Sequence, residues 1–279
     1  MEGLNVNVAE WGAGSPVVLL HGLTGSLDYW APFAERLART HRVLAIDVPG
    51  HGASGDLEEF SFPSVVRVMC TAVEQLEARR PALVGHSFGA PLAVCWAAER
   101  EVASLVLASP VGLAPLHIRK ARLVMPFQRM LARTERAWEW AAATRKLPRK
   151  VVFGWFVGMR RLENLEPAVA RGLLRGAARA APVVSSALPA LETLDLESVL
   201  AGVDARTLVL WGEHDRSGWD NGPALADALG AEELVLPGVG HMPMIEAPYS
   251  FGQAVSEFIG DGTAPSGPAK LVSSRPRSK

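Results

Sequence analysis

Three short stretches of the 279-residue chain hold residue types that can do chemistry together. Gly85-His86-Ser87-Phe88-Gly89 fits the Gly-x-Ser-x-Gly pattern, in which a serine sits on a sharp strand-to-helix turn. Such a turn strains the serine backbone, so small residues must stand two positions to either side. The helix that follows aims its first N–H groups at a developing oxyanion. A serine hydroxyl is a weak nucleophile without a base. His241, in Gly238-Val239-Gly240-His241-Met242-Pro243, can supply that base, and Asp215, in Trp211-Gly212-Glu213-His214-Asp215, can orient it. Glu213 and Asp220 are the rival acids. The expected roles are attack by Ser87, proton transfer through His241 and stabilisation of the imidazolium by Asp215. Backbone N–H groups of Leu23, in His21-Gly22-Leu23-Thr24-Gly25, and of Phe88 are the expected oxyanion donors. His21 itself reads as structural.

These residues meet only if a scaffold brings distant stretches to one edge. Val17–Leu20, Val43–Ile46, Ala82–Val84, Val102–Leu107, Thr207–Trp211 and Glu233–Leu236 are apolar runs of buried-strand length. Between them lie helical patterns over Tyr29–Arg39, Pro63–Arg80, Pro91–Arg100, Pro223–Leu229 and Pro248–Ile259, and Leu4, Val6 and Val8 alternate as a further strand. Continuous apolar strands separated by helices predict an α/β fold, a mostly parallel, doubly wound sheet covered on both faces. Ser87, Asp215 and His241 then all fall just beyond carboxyl ends of strands, where open sheets of this kind place their sites.

The charge is segregated. Residues 113–203 hold 15 basic and 7 acidic side chains, a net +8, while the rest hold 13 and 22, a net −9, which together give the overall −1. That middle stretch consists mostly of helix formers, with Met125, Met130, Trp138, Trp140, Phe153, Trp155, Phe156 and Met159 among its arginines. The expected organisation is therefore a core over 1–112 and 204–260, an all-α cap inserted at 113–203, and a disordered tail at 261–279 rich in Gly, Ser, Pro and basic residues. No nucleic-acid-binding motif accompanies the basic stretch. Met1-Glu2-Gly3-Leu4-Asn5 has no basic n-region leading into an apolar stretch, and no apolar run approaches the ~20 residues of a membrane span. A cytoplasmic protein is expected.

The sequence resembles the α/β-hydrolase fold superfamily, in particular serine esterases with a helical cap. The likeness runs from about Leu4 to Ile259. It rests on His21-Gly22, Asp47-Val48-Pro49-Gly50-His51-Gly52-Ala53-Ser54, the Gly85–Gly89 turn, Trp211–Asp215, and Gly240-His241 with Glu246-Ala247-Pro248 behind it. In such proteins the Asp47–Ser54 stretch is a structural turn. The chain departs from its relatives at Arg216-Ser217-Gly218-Trp219, where they often carry an apolar residue and a proline.

The resemblance implies acyl transfer to water, because relatives that open epoxides or displace halide use aspartate where this chain has Ser87. A carboxylesterase with lipophilic acyl substrates is the leading expectation, the apolar and basic cap suiting acyl chains or an aromatic acid. Carbon–carbon bond hydrolysis, cofactor-free perhydrolysis, slow-turnover small-molecule reception and a menaquinone-pathway lyase, suggested by His21–Ser26 with Trp30, use or resemble the same constellation. Cys70 and Cys95 read as reduced core residues, and no histidine spacing suggests a metal. Neither a cofactor nor a metal is expected, and no obligate protein partner. Helical stretches such as His117–Arg133 could rest on an anionic membrane surface.

Overall fold

Short runs of branched apolar residues become the central strands of one sheet. The structure, a computed structural model, describes residues 4–112, 150–215, 221–260 and 270–274. Strands β1 (Val6–Trp11), β2 (Pro16–Leu20), β3 (Arg42–Ile46), β4 (Ala82–His86), β5 (Ser104–Ala108), β6 (Thr207–Gly212), β7 (Glu232–Leu236) and β8 (Lys270–Ser274) lie in the order β7-β6-β5-β4-β2-β3-β1-β8. All neighbouring pairs from β3 to β7 are parallel, and β1 runs antiparallel to β3 and β8. This is the mostly parallel sheet that the apolar runs predict. Val17 to Leu20 and Val43 to Ile46 are wholly removed from water, which explains why they carry no polar alternation.

The register levels the strand ends that matter. Leu20 pairs with Gly85, His86 with Ala108, Ala108 with Leu210, and Gly212 with Leu236. The chain runs outward from β2 to β3 and then returns to place β4 on the other side of β2. At that reversal the loop after β2 and the turn after β4 are neighbours, the place where open sheets of this kind carry their sites.

Helices α1 (Ala31–Leu37), α2 (Phe62–Gln75) and α3 (Gly89–Glu99) cover the sheet. In α2, the Ser61 side chain caps Ser64 N–H at 3.3 Å, and Phe62, Val65, Val66, Met69 and Val73 form its buried stripe. The helix expected to run on to Arg80 stops at Gln75, since Glu77 and Arg80 take positive φ values of 57° and 45°. The helix expected from Tyr29 divides into a 3-10 turn, Leu27–Trp30, and α1, with Pro32 in its first turn where no N–H is needed.

Residues 150–203 of the expected cap hold four helical stretches. A π-helical turn (Lys150–Phe156) and a 3-10 turn (Leu162–Asn164) precede the 27-residue α4 (Pro167–Thr193) and α5 (Leu196–Leu200). Residues 113–149, with Met125, Met130, Trp138, Trp140 and the His117–Arg133 stretch, lie outside the described residues, as do the side chains of Trp155 and Phe156. Helix α4 crosses the connections after β2 and β3, with Gly172 against Asp28, Gly176 against the Gly25 backbone and Val183 against Gly50. Helices α6 (Gly222–Leu229), α7 (Pro243–Glu246) and α8 (Pro248–Ile259) complete the core. Among the described residues no helix is long and apolar enough to cross a membrane.

Part of the tail pairs with the sheet. Within the 261–279 stretch, for which the sequence predicts disorder, Lys270–Ser274 pairs along β1 from Val6↔Ser274 to Glu10↔Lys270. The physical reason is that β1 would otherwise be an open edge, and backbone pairing needs little from side chains. Residues 261–269 and 275–279 lie outside the described residues.

Candidate active site

Ser87 stands one residue beyond β4 with φ +54°, a left-handed conformation that costs energy for any residue with a Cβ. Its N–H donates to Ala108 O at 2.9 Å, and its own carbonyl accepts Ala90 N–H at 3.0 Å as α3 begins. The turn is so tight that a Cβ on Gly85 would fall 2.5 Å from Gly89 O. The sequence pattern and the strain thus have one cause, the close crossing of strand and helix beneath the serine.

Structure brings the three candidate side chains into one line. His241 Nε2 lies 3.1 Å from Ser87 Oγ, and His241 Nδ1 lies 3.0 Å from both carboxylate oxygens of Asp215. Ser87 and His241 are buried, at 6% and 8% exposure. Burial pushes the His241 imidazole down, but the Asp215 charge, its hydrogen bond and the more distant Glu246 charge outweigh it, so the net shift is upward from 6.5. The rival acid Glu213 turns away and accepts Gly238 N–H at 2.8 Å; Asp220 and the departure at Arg216–Trp219 lie outside the described residues.

Phe88 follows the serine directly, and Leu23 follows Gly22 in the loop after β2. This loop abuts the serine so closely that a Cβ on Gly22 would lie 3.1 Å from Ser87 Cβ. The backbone hydrogen bonds of the described residues assign no acceptor to the N–H of either Leu23 or Phe88. Backbone N–H groups at such a turn are the kind of donor that receives a developing oxyanion.

Histidines hold this loop in place. Val48 N–H donates to His21 Nε2 at 2.9 Å, so His21 carries its proton on Nδ1 and gives it to Gly22 O at 2.8 Å. The Asp47 carboxylate 3.9 Å from His21 Nε2 therefore forms no ion pair with it. His51 Nε2 contacts Leu23 O. Burial drives both His21 and His51 below 6.5, keeping them neutral. Asp47 accepts Asn7 Nδ2, Leu27 N–H and Ala53 N–H at 2.7, 2.7 and 2.9 Å, which makes the Asp47–Ser54 stretch a structural turn.

Sequence reasoning missed the role of Glu246. This carboxylate is wholly buried and accepts four backbone N–H groups: Arg160, Arg161 and Gly240 on Oε2 at 2.6, 3.0 and 3.0 Å, and Met242 on Oε1 at 3.0 Å. It ties the residues on either side of His241 to the stretch between β5 and β6. His241 N–H also donates to Gly158 O at 3.2 Å. The available signal was a carboxylate five residues after the histidine in an otherwise apolar run. Cys70 and Cys95 are buried and unpaired, and burial pushes both thiols up to about 12. Among the described residues no group of three His, Cys, Asp or Glu side chains could hold a metal ion.

A strained serine after the fourth strand thus lies beside a histidine and an aspartate that follow neighbouring strands. Residues 15–248 match the family model described as the alpha/beta hydrolase fold, and the chain belongs to that family. It is 30% identical over 262 residues to the dihydrolipoyllysine-residue acetyltransferase component of the acetoin cleaving system of Pseudomonas putida, an alignment covering 88% of this chain and 64% of that protein's length. It is 26% identical over 257 residues to the 2-succinyl-6-hydroxy-2,4-cyclohexadiene-1-carboxylate synthase of Enterobacter sp. (strain 638), covering 88% and 94%. The enol-lactonase from Burkholderia xenovorans LB400 shares the fold with a TM-score of 0.69 and 21% identity, over 92% of this chain and 96% of that one.

Proposed function

We propose that the protein is a serine carboxylesterase that hydrolyses esters of lipophilic acids through an acyl-enzyme on Ser87. The observation that carries this reading is the unbroken line from Ser87 Oγ through His241 to Asp215, at 3.1 and 3.0 Å. His241 Nε2 takes the Oγ proton as Oγ bonds to the ester carbonyl carbon, and the carbonyl electron pair moves onto oxygen. That oxyanion faces the N–H groups of Leu23 and Phe88, each such donor stabilising the transition state by about 2.7–4 kcal/mol. Collapse breaks the bond to the alcohol oxygen, which leaves with the proton from His241. Water then repeats the sequence on the acyl-enzyme, releasing the acid and restoring Ser87. Asp215 orients the ring and stabilises the imidazolium in both halves. Lipophilic preference is supported by the apolar group that Ala180, Val184 and Leu188 of α4 form with Leu23, next to the proposed carbonyl site.

Hydrolysis of p-nitrophenyl esters from acetate to palmitate, with Ser87→Ala as control, tests this reading. Turnover that depends on Ser87 is expected, with an optimum above acetate. A second reading is favoured by the synthase relative, which the chain matches over 94% of its length: His241 and Ser87 acting on a carbon skeleton without an acyl-enzyme. Folded protein that turns over no ester of any length would overturn the esterase reading in favour of that one.

A further inference from the structure

Ser87, the loop after β2 and the His241 loop must keep their mutual distances through both halves of the reaction, yet they lie on three different connections. A chain of hydrogen bonds behind the site joins them. Gly22 N–H donates to Tyr29 Oη at 2.7 Å, Tyr29 Oη lies 2.9 Å from His86 Nδ1, and His86 Nε2 lies 2.8 Å from the carbonyl oxygen of His241. Tyr29 and His86 are 2% and 3% exposed, and their rings meet edge to face at 5.6 Å.

The protons in this chain have only one arrangement. A backbone carbonyl can only accept, so His86 Nε2 must carry hydrogen to bond to His241 O. Burial, with the His241 ring nearby, pushes His86 down to about 3, so the ring is neutral and its Nδ1 is bare. Tyr29 must therefore donate to Nδ1, while its oxygen accepts Gly22 N–H. Each group makes the one bond its chemistry allows. Reversing either ring would set a lone pair against a lone pair.

We propose that Tyr29 and His86 are positioning residues for the Ser87 reaction, their ordered hydrogen-bond chain holding the oxyanion loop and the general-base loop in register across the serine turn. The inference rests on the triad reading above. His86 immediately precedes Ser87, so the chain passes directly beneath the nucleophile. Gly22 immediately precedes Leu23, so the Gly22 N–H bond sets the peptide next to the one that receives the oxyanion. Neither side chain touches substrate in this scheme. Both act by where they put the N–H of Leu23 and the ring of His241.

The test compares the full-length protein with Tyr29→Phe, His86→Gln and His86→Leu. Active sites are counted with a fluorophosphonate so that only folded, reactive protein enters kcat. Tyr29→Phe removes the central hydroxyl alone, leaving Gly22 N–H and His86 Nδ1 without partners. It is expected to lower kcat by up to about 10²-fold with little change in KM, the size of effect that misplacing reacting groups produces. Affinity for a trifluoromethyl ketone, which adds to the serine and places an oxyanion in the same site, should fall by the same factor. Gln offers one acceptor and one donor, so His86→Gln should retain more kcat than His86→Leu. A Tyr29→Phe enzyme with lowered Tm but unchanged kcat and ketone affinity would show that the chain serves stability alone, overturning the inference. Should His86→Leu fail to fold, Tyr29→Phe and His86→Gln still decide the matter. Loss of turnover in Ser87→Ala beside unchanged kcat in Tyr29→Phe defeats this inference only. Turnover that survives in Ser87→Ala defeats the triad reading as well.

Discussion

Ser87 and His241 stand 3.1 Å apart but are held by different parts of the molecule. The serine side belongs to the core: Ser87 N–H goes to β5, the Gly85–Gly89 crossing fixes its turn, and His21 and His51 pin the neighbouring loop. The histidine side is shared with the stretch between β5 and β6. Gly158 O accepts His241 N–H, and Glu246 gathers Arg160 and Arg161 N–H together with Gly240 and Met242 N–H. The difference teaches that the seating of Ser87 is a property of the sheet, whereas that of His241 depends on the stretch between β5 and β6 as well. Changes to the insert should therefore reach catalysis through His241 and leave the serine turn alone.

The largest effects test whether the two sides act as one unit. Ser87→Ala and His241→Ala are each expected to lower kcat by about 10⁶-fold, and the double variant by no more, because the residues work together. Ester kinetics on the three variants, with Tm as a control for folding, check this. Additive losses would separate the two residues and end the relay. Next in size is Glu246→Gln. Whichever way the amide turns, an NH2 replaces an oxygen that accepts N–H, so one or more buried donors lose their partner, at about 1–3 kcal/mol of stability each. A kcat loss of about 10²-fold is expected from displacement of His241. The same variant removes a negative charge that raises His241, so the acidic limb of its kcat/KM profile should move to lower pH. An unchanged limb would mean that Glu246 does not influence the base.

The serine side was legible in the sequence and the histidine side only in part, for a physical reason. Gly85, Ser87 and Gly89 are dictated by local sterics, so their pattern appears within five consecutive residues. Val17–Leu20 and Val43–Ile46 are likewise dictated by burial on both faces. The function of Glu246 is set by backbone N–H groups up to 86 residues away, and backbone donors leave no mark on residue type. Tyr29 and His86 are similar: each reads as an ordinary aromatic residue until Gly22 N–H and His241 O are found at its ends. Lys270–Ser274 joins β1 through main-chain pairing, which composition likewise does not reveal.

Protonation sharpens the contrast. On the histidine side, the raised His241 places the acidic limb of kcat/KM above pH 6.5, since the base must be neutral to act. A limb below 6.5 would show that Asp215 does not outweigh burial. On the serine side, His21, His51 and His86 are all pushed down, so below about pH 6.5 the unfolded chain binds protons that the folded chain refuses. That part of the stability is complete above the unfolded value and is lost as pH falls towards about 3 for His86. His241 works in the opposite sense, adding stability at acid pH that disappears as pH rises through its folded value, but it is one ring against three. Thermal unfolding followed between pH 7 and 5, a window above ordinary carboxylate titration, should show Tm falling with pH. A flat Tm there would mean that the three rings are not neutral as their hydrogen bonds require.

The smallest expected effect separates the two ways in which the insert meets the core. Beside the serine, α4 is attached by the packing of Val183 on Gly50 and by Arg179, whose Nη2 lies 2.9 Å from Asp56 Oδ1. The aspartate side chain is 68% exposed, so water and salt screen the pair. Asp56→Asn keeps the volume and removes the charge, and it should change stability by no more than about 1 kcal/mol. Its kcat should match the parent enzyme, because no bond from Asp56 reaches the loop that carries His241 among the described contacts. Chemical denaturation and ester kinetics on this variant, set beside Glu246→Gln, form the control for the whole comparison. If Asp56→Asn lowered kcat as far as Glu246→Gln does, the insert would act on the base through its general seating on the core rather than through the four hydrogen bonds of one buried carboxylate.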